Sequence, residues 1–128
     1  MIHIKTVTPK GIYLEREVAS VHMKTVEGKM TLLPHHTPVF AALVPCALQL
    51  GKADEYYALS GGFLKFQDDA CLILTDAIEG KDDIDIERAR QAYRRARERL
   101  DKKDVNTNMK RASLALARAI NRISVYEK

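Results

Sequence analysis

The hydrophobic period of this 128-residue chain changes once, near Gly80, and few folds accommodate such a change. Upstream, apolar residues fall in short runs rich in β-branched and aromatic side chains; downstream they recur every three to four residues, as on one face of a helix. Charge divides at the same point. Residues 1–80 carry seven Lys/Arg against nine Asp/Glu, a net of −2, whereas residues 81–128 carry fourteen against eight, a net of +6. The pattern implies a near-neutral β module with a basic helical tail, and such a tail seeks an anionic partner.

The strand-like runs cover residues 3–7, 17–23, 29–33, 39–44, 48–50, 55–59, 62–66 and 70–75. Between them stand Pro9-Lys10-Gly11, Glu27-Gly28, Pro34, Pro38, Gly51 and Gln67-Asp68-Asp69, residue types that supply the backbone angles of turns. Many short strands at close spacing predict an antiparallel sandwich or flattened barrel. The expected fold class is therefore mainly β plus α, with an N-terminal antiparallel β-sandwich over residues 1–83 and a C-terminal α-helical hairpin over residues 84–128. Asp85 can cap the first helix, because its carboxylate can accept from the exposed N–H groups of the first turn. Ala89, Ala92, Tyr93, Ala96 and Leu100 form the apolar stripe of that helix. Residues 101–107 read as a turn, and Met109, Ala112, Leu116, Ala119, Ile120 and Ile123 mark the second helix. The alanines permit close approach but bury little surface, at roughly 25 cal/mol per Å². The hairpin is expected to be held loosely on the sandwich and to move.

With 46% hydrophobic and 30% charged residues the chain fits a globular protein rather than a disordered one. No run approaches the roughly 18–20 apolar residues of a bilayer span, and the start MIHIKTVTPKG lacks a cationic run followed by a long apolar stretch. Cytosolic residence is the expectation. Cys46 and Cys71 stand alone in apolar strand-like surroundings and read as buried thiols, not as redox or zinc ligands. There is no paired carboxylate with a framed pocket, no serine or cysteine beside a histidine with an orienting group, and no phosphate loop of the Gly-x-x-x-x-Gly-Lys type. The chain is not expected to catalyse a reaction by itself.

The arginine spacing carries the sharpest chemical information. Arg88 and Arg95 lie about two turns apart on one helix face with Ala92 between them, while Arg111, Arg118 and Arg122 fall on one side of the second helix with Ala115 in the gap. If both stripes face the same side, several guanidinium forks converge around small residues and form a polyphosphate pocket. The same spacing also describes solvated faces with pairs such as Glu87 with Arg90 or Glu98 with Lys102. A free-standing nucleic-acid-binding module is a further alternative, with only Tyr93 and Tyr126 available to stack on bases.

Four motifs, in order along the whole chain, carry a family resemblance. Glu27-Gly28 followed by Leu33-Pro34 and His36-Thr37-Pro38, then Ser60-Gly61-Gly62-Phe63, then Ile84-Asp85-Ile86-Glu87-Arg88-Ala89, and finally Arg111-Ala112 through Leu114-Ala115-Leu116 to Ala119-Ile120-Asn121-Arg122 resemble the bacterial F-type ATP synthase epsilon subunit. The resemblance implies a non-catalytic subunit of the central rotor of a proton-translocating ATP synthase. It places the chain at the cytoplasmic face of the cell membrane, associated with the membrane only through the complex. The sandwich would pack against the gamma subunit and the c ring. The hairpin would inhibit ATP hydrolysis by extending into the alpha/beta head, where its basic residues meet an acidic loop of beta. Neither a metal nor a nucleic-acid partner is implied.

A regulatory ATP site is implied as well. The family's Ile/Leu-Asp-x-x-Arg-Ala motif is matched by Ile84, Asp85, Arg88 and Ala89, and its further contacts by Glu79, Arg95, Arg118 and Arg122. In this reading the arginines hold the phosphates, while Glu79, Ile84 and Asp85 contact the base or fix the first turn. Contact with the c ring would fall to Lys29, Thr31 and His36. Two positions depart from the family pattern. His35 stands where a turn glycine is usual, which demands backbone angles that side chains rarely adopt, and Lys29 stands where an acidic residue is common. The adjacent His35 and His36 are not read as a metal site, since two neighbours on a turn rarely aim at one ion.

Overall fold

A computed structural model describes residues 1–102 and 108–128 of the chain. Ten strands come first: β1 (Ile2–Thr8), β2 (Gly11–Val18), β3 (Val21–Thr25), β4 (Gly28–Leu32), β5 (Val39–Leu43), β6 (Cys46–Leu50), β7 (Tyr56–Leu59), β8 (Gly62–Gln67), β9 (Ala70–Leu74) and β10 (Ile78–Gly80). A single 3₁₀ turn at Lys81–Asp83 leads into helices α1 (Ile86–Lys102) and α2 (Met109–Tyr126). The strands form one hydrogen-bonded path, β10-β7-β6-β3-β5-β8-β9-β1-β2, with β4 paired to β3, and this path folds over into a flattened sandwich. Every pairing is antiparallel except that of β1 with β9, which is parallel.

Besides that parallel pairing and the short strand β10, three details depart from the sequence reading. The run at 17–23 is the end of one strand and the start of another, because the chain turns between Val18 and Val21. Strand β2 begins as early as Gly11, and six of its first seven residues are exposed, so no apolar alternation advertises it. Asp101 belongs to α1 rather than to a turn; residues 103–107 of the expected turn lie outside the described residues.

Turn chemistry is local and follows from residue type. Asp68 (φ 51°) and Asp69 (φ 59°) both adopt left-handed angles, the geometry of a two-residue hairpin joining β8 to β9. His35 does sit in the left-handed region, at φ 68°, and its N–H donates to the Asp69 carboxylate at 2.6 Å. At Gly62 (φ 130°) a Cβ would lie only 2.0 Å from the Leu74 carbonyl oxygen, so the close passage of β8 over β9 requires glycine.

The main core draws only on residues 2–78, including Ile2, Ile4, Leu48, Leu64, Phe66 and Ile73. Among the described residues, no helical residue enters it. The helices bury Ala89 and Ala96 of α1 and Ala112 and Ala119 of α2 where they pack on each other. The alanine seam therefore joins helix to helix, and it is α2 that lies on β6 and β7. Its anchor is Val125, fully buried with Ala58 and Ile84 in a second small cluster.

Candidate functional site

Two capping residues fix where the helices start. The Asp85 carboxylate accepts from the Arg88 N–H at 3.2 Å, and Asn108 does the same for Arg111 at 3.1 Å. Starting α1 at Ile86 turns Arg88, Ala92 and Arg95 toward the sandwich edge. The docking of α2 is set by polar hooks. Asn121 Nδ2 donates to the carbonyls of Cys46 (2.9 Å) and Leu59 (3.2 Å), and Arg118 Nε donates to that of Ser60 (3.3 Å). Arg122 Nε pairs with Glu79 Oε1 at 2.6 Å.

These placements enclose a cleft of about 640 Å³ between the two regions. Glu79, Asp85, Arg88, Arg95 and Arg122 all line it, with Ala92 leaving space among the arginines as its size suggests. Arg118 stands beside it, in a small adjoining recess shared with Glu79 and Arg122. Ile84 and Ala89 are not on the cleft wall: Ile84 packs in the Val125 cluster and Ala89, 2% exposed, lies in the helix seam. Both shape the site from behind. Arg111 is exposed and does not reach the cleft. Of the surface pairs considered from spacing, Glu87 with Arg90 forms at 3.1 Å, while among the described residues Glu98 makes no such pair with Lys102.

The far wall comes from the sandwich. It consists of the β1–β2 turn from Thr8 to Tyr13 and the approach to β10 from Asp76 to Glu79. Apart from Glu79, this wall did not emerge from the sequence. Its only local signal is Pro9-Lys10-Gly11, which reads as a turn and nothing more.

The residues expected to face the c ring are split. Lys29 and Thr31 on β4 line a second groove, shared with Lys24, with Ile120 of α2 and with Lys128 just beyond it. His36 lies elsewhere, edge-on to Phe66 with ring centroids 5.9 Å apart. Cys46 and Cys71 are free and buried, and burial pushes the Cys71 thiol up to about 12 and raises that of Cys46. Thiols so held are protonated and unreactive near neutral pH. No group of three or more His, Cys, Asp or Glu side chains able to hold a metal occurs among the described residues. Neither helix is long and apolar enough to cross a membrane.

Comparison with known proteins covers both regions. Residues 1–81 match the family described as "ATP synthase, Delta/Epsilon chain, beta-sandwich domain", and residues 82–127 match "ATP synthase, Delta/Epsilon chain, long alpha-helix domain". The chain is 44% identical to the ATP synthase epsilon chain of Halalkalibacterium halodurans over 97% of its own length and 96% of the relative's. It is 41% identical to that of Clostridium novyi, over 95% of each. Among solved structures it is similar to a chain of the Euglena gracilis mitochondrial ATP synthase OSCP/F1/c-ring assembly in rotational state 1. That match has a TM-score of 0.79 at 26% identity, covering 91% of this chain and 75% of that one. A chain of the Tetrahymena thermophila mitochondrial ATP synthase shares the fold, with a TM-score of 0.61 at 13% identity over 98% and 93%.

Proposed function

The chain belongs to the ATP synthase delta/epsilon family, as a non-catalytic epsilon subunit, and from that premise we infer that it is a rotor subunit whose hairpin regulates ATP hydrolysis and binds ATP. The observation that carries the ATP reading is the cleft in which Arg88 and Arg95 of α1 meet Arg122 of α2. Its volume, about 640 Å³, lies within the usual range for small-ligand sites. Guanidinium groups suit phosphate oxygens because they offer paired, permanently charged donors. Bound there, ATP would supply a polyanion that neutralises arginines from both helices at once; it undergoes no reaction in this site.

Calorimetry on the full chain tests this reading. ATP should bind more tightly than ADP, and Arg88→Ala or Arg122→Ala should weaken ATP by about 1.5–3 kcal/mol through loss of a charge-assisted bond. Equal, undetectable heats for wild type and both variants at millimolar ATP would remove the site.

Regulation follows by linkage. A ligand that spans both helices binds only while they lie side by side, so it shifts the population toward the docked hairpin. High ATP would then relieve inhibition, and low ATP would free α2 to reach acidic partners in the alpha/beta head. A distance probe between Gln67 and Tyr126 in the assembled complex should lengthen on ATP depletion; a distance that ignores ATP despite measurable binding would count against the switch.

The division of labour is proposed at Asp83. The main core, confined to residues 2–78, supports it. A chain ending near Asp83 should fold and bind gamma, at the inner leaflet side of the membrane where the c ring is met. For that docking the outer face of β5, β8 and β9 is suited, since Phe40 and Phe63 stack there with centroids 5.9 Å apart and Leu74 is 47% exposed.

A further inference from the structure

We propose that the β1–β2 turn is a third wall of the nucleotide site, with Lys10 supplying a cation to the phosphates, so that the ligand bridges α1 to the sandwich as well as α1 to α2. The inference rests on the ATP reading above and adds to it a residue from the other region. It starts from charge.

The helices bring Arg88, Arg95 and Arg122 to the cleft, and Asp76, Glu79 and Asp85 stand in the same lining. Three charges of each sign cancel, which is a poor field for a polyanion. Lys10 is the remaining charged group of the lining, and it tips the balance to a net positive charge. Commitment of the groups sharpens the point. Arg122 is paired with Glu79, and the Asp85 carboxylate is engaged at the α1 N-terminus. Among the described residues, Lys10, Arg88 and Arg95 have no carboxylate within ion-pair distance. Phosphates entering the cleft therefore find three uncommitted cations, two on the helix and one across from it on the sandwich.

The turn is also held in shape. Thr8 Oγ1 accepts from the Lys10 N–H at 3.2 Å and donates to the Gly11 carbonyl at 3.3 Å, and Gly11 takes φ 117°, which a side chain would resist. Ile12 follows on the wall, 57% exposed, an apolar surface beside a polar turn. A preorganised wall loses little entropy on binding. The bridging role has a clear physical need: α2 docks on β6 and β7, whereas α1 packs principally on α2. A polyanion lying between Arg88, Arg95 and Lys10 joins α1 to the sandwich, and its departure removes that link.

Titration of the full chain with ATP, ADP and AMP, for wild type, Lys10→Gln, Arg88→Ala and Lys52→Gln, tests the assignment. Lys10→Gln should weaken ATP roughly three- to tenfold, as expected for one exposed charge-assisted contact, with a smaller effect on AMP. Lys52→Gln removes the same charge from the β6–β7 turn and should leave affinity unchanged. Amide exchange at residues 8–13 should slow on saturation with ATP, independently of any variant. Wild type that binds ATP and loses it with Arg88→Ala, yet shows no Lys10 effect and no slowing at 8–13, would overturn the third wall and leave the helical site standing. Equal weakening by Lys52→Gln would overturn Lys10 as a contact, and absence of wild-type binding would overturn the ATP reading itself.

Discussion

Phe66, Ile2, Leu48 and Leu64 are at most 1% exposed in the sandwich, whereas helices α1 and α2, among the described residues, bury four alanines and one valine. A large apolar side chain contributes about 1.5–3 kcal/mol when fully buried, and an alanine methyl far less. The sandwich is thus held by interlocked apolar volume that water cannot replace. The hairpin is held on it by directional contacts at Asn121, Arg118 and Arg122 around one apolar anchor, Val125. Water can satisfy those same polar groups once α2 leaves, so undocking costs far less than unfolding. The sandwich is the more firmly held of the two regions.

The largest expected effect lies in the sandwich. Phe66→Ala should lower global stability by about 3–5 kcal/mol in a urea melt of the full chain. Val125→Ala should cost less and act mainly on docking. Comparable losses from the two would mean that the regions share one core.

Asn121→Ala comes next. It removes both bonds to the strand carbonyls, a loss of about 1–3 kcal/mol confined to docking. Cys46, whose carbonyl receives one of those bonds and which borders α2, should then react faster with a thiol reagent. Cys71, buried in the sandwich and pushed up to about 12, should stay unreactive in the same sample. Equal acceleration of both thiols would show that the hairpin supports the core after all.

A smaller effect, of opposite sign, is expected at Thr6. This residue is fully buried and, among the described residues, its Oγ1 has no hydrogen-bond partner. Thr6→Val keeps the shape and removes the unsatisfied hydroxyl, so it should stabilise the sandwich by about 1 kcal/mol without altering hairpin docking. A destabilised variant would point to a buried water at this site.

The smallest effect is electrostatic. His3 on β1 lies between Glu15 (2.7 Å) and Glu17 (3.0 Å) of β2, and hydrogen bonds to these two carboxylates raise its pKa above the ordinary 6.5. The His3 contribution is complete below pH 6.5 and fades as pH rises through the raised folded value. On the other side of the pair, His3 holds Glu15 below its ordinary 4.5, so that contribution is lost as pH falls through the depressed value. An NMR titration placing His3 at or below 6.5 would show that this edge pair does not form.

Local chemistry was readable from the residues themselves. Gln67-Asp68-Asp69 marks the hairpin between β8 and β9, Asp85 marks the start of α1, and the change of period near Gly80 separates strands from helices. Each depends on backbone preference or periodicity acting among near neighbours in the chain. That Asp85, Arg88, Ala92 and Arg95 share one wall of the cleft was readable for the same reason, since a single helix and its cap tie them together. Strand β2 was hidden because its exposed residues have no burial pattern to display, and the parallel pairing of β1 with β9 joins segments far apart in sequence. The roles of Ile84 and Ala89 as packing beneath the cleft, and of Lys10 on its opposite wall, depend on how α2 docks on β6 and β7. That docking is a balance of buried area and directed hydrogen bonds between distant segments, which no local window of sequence contains.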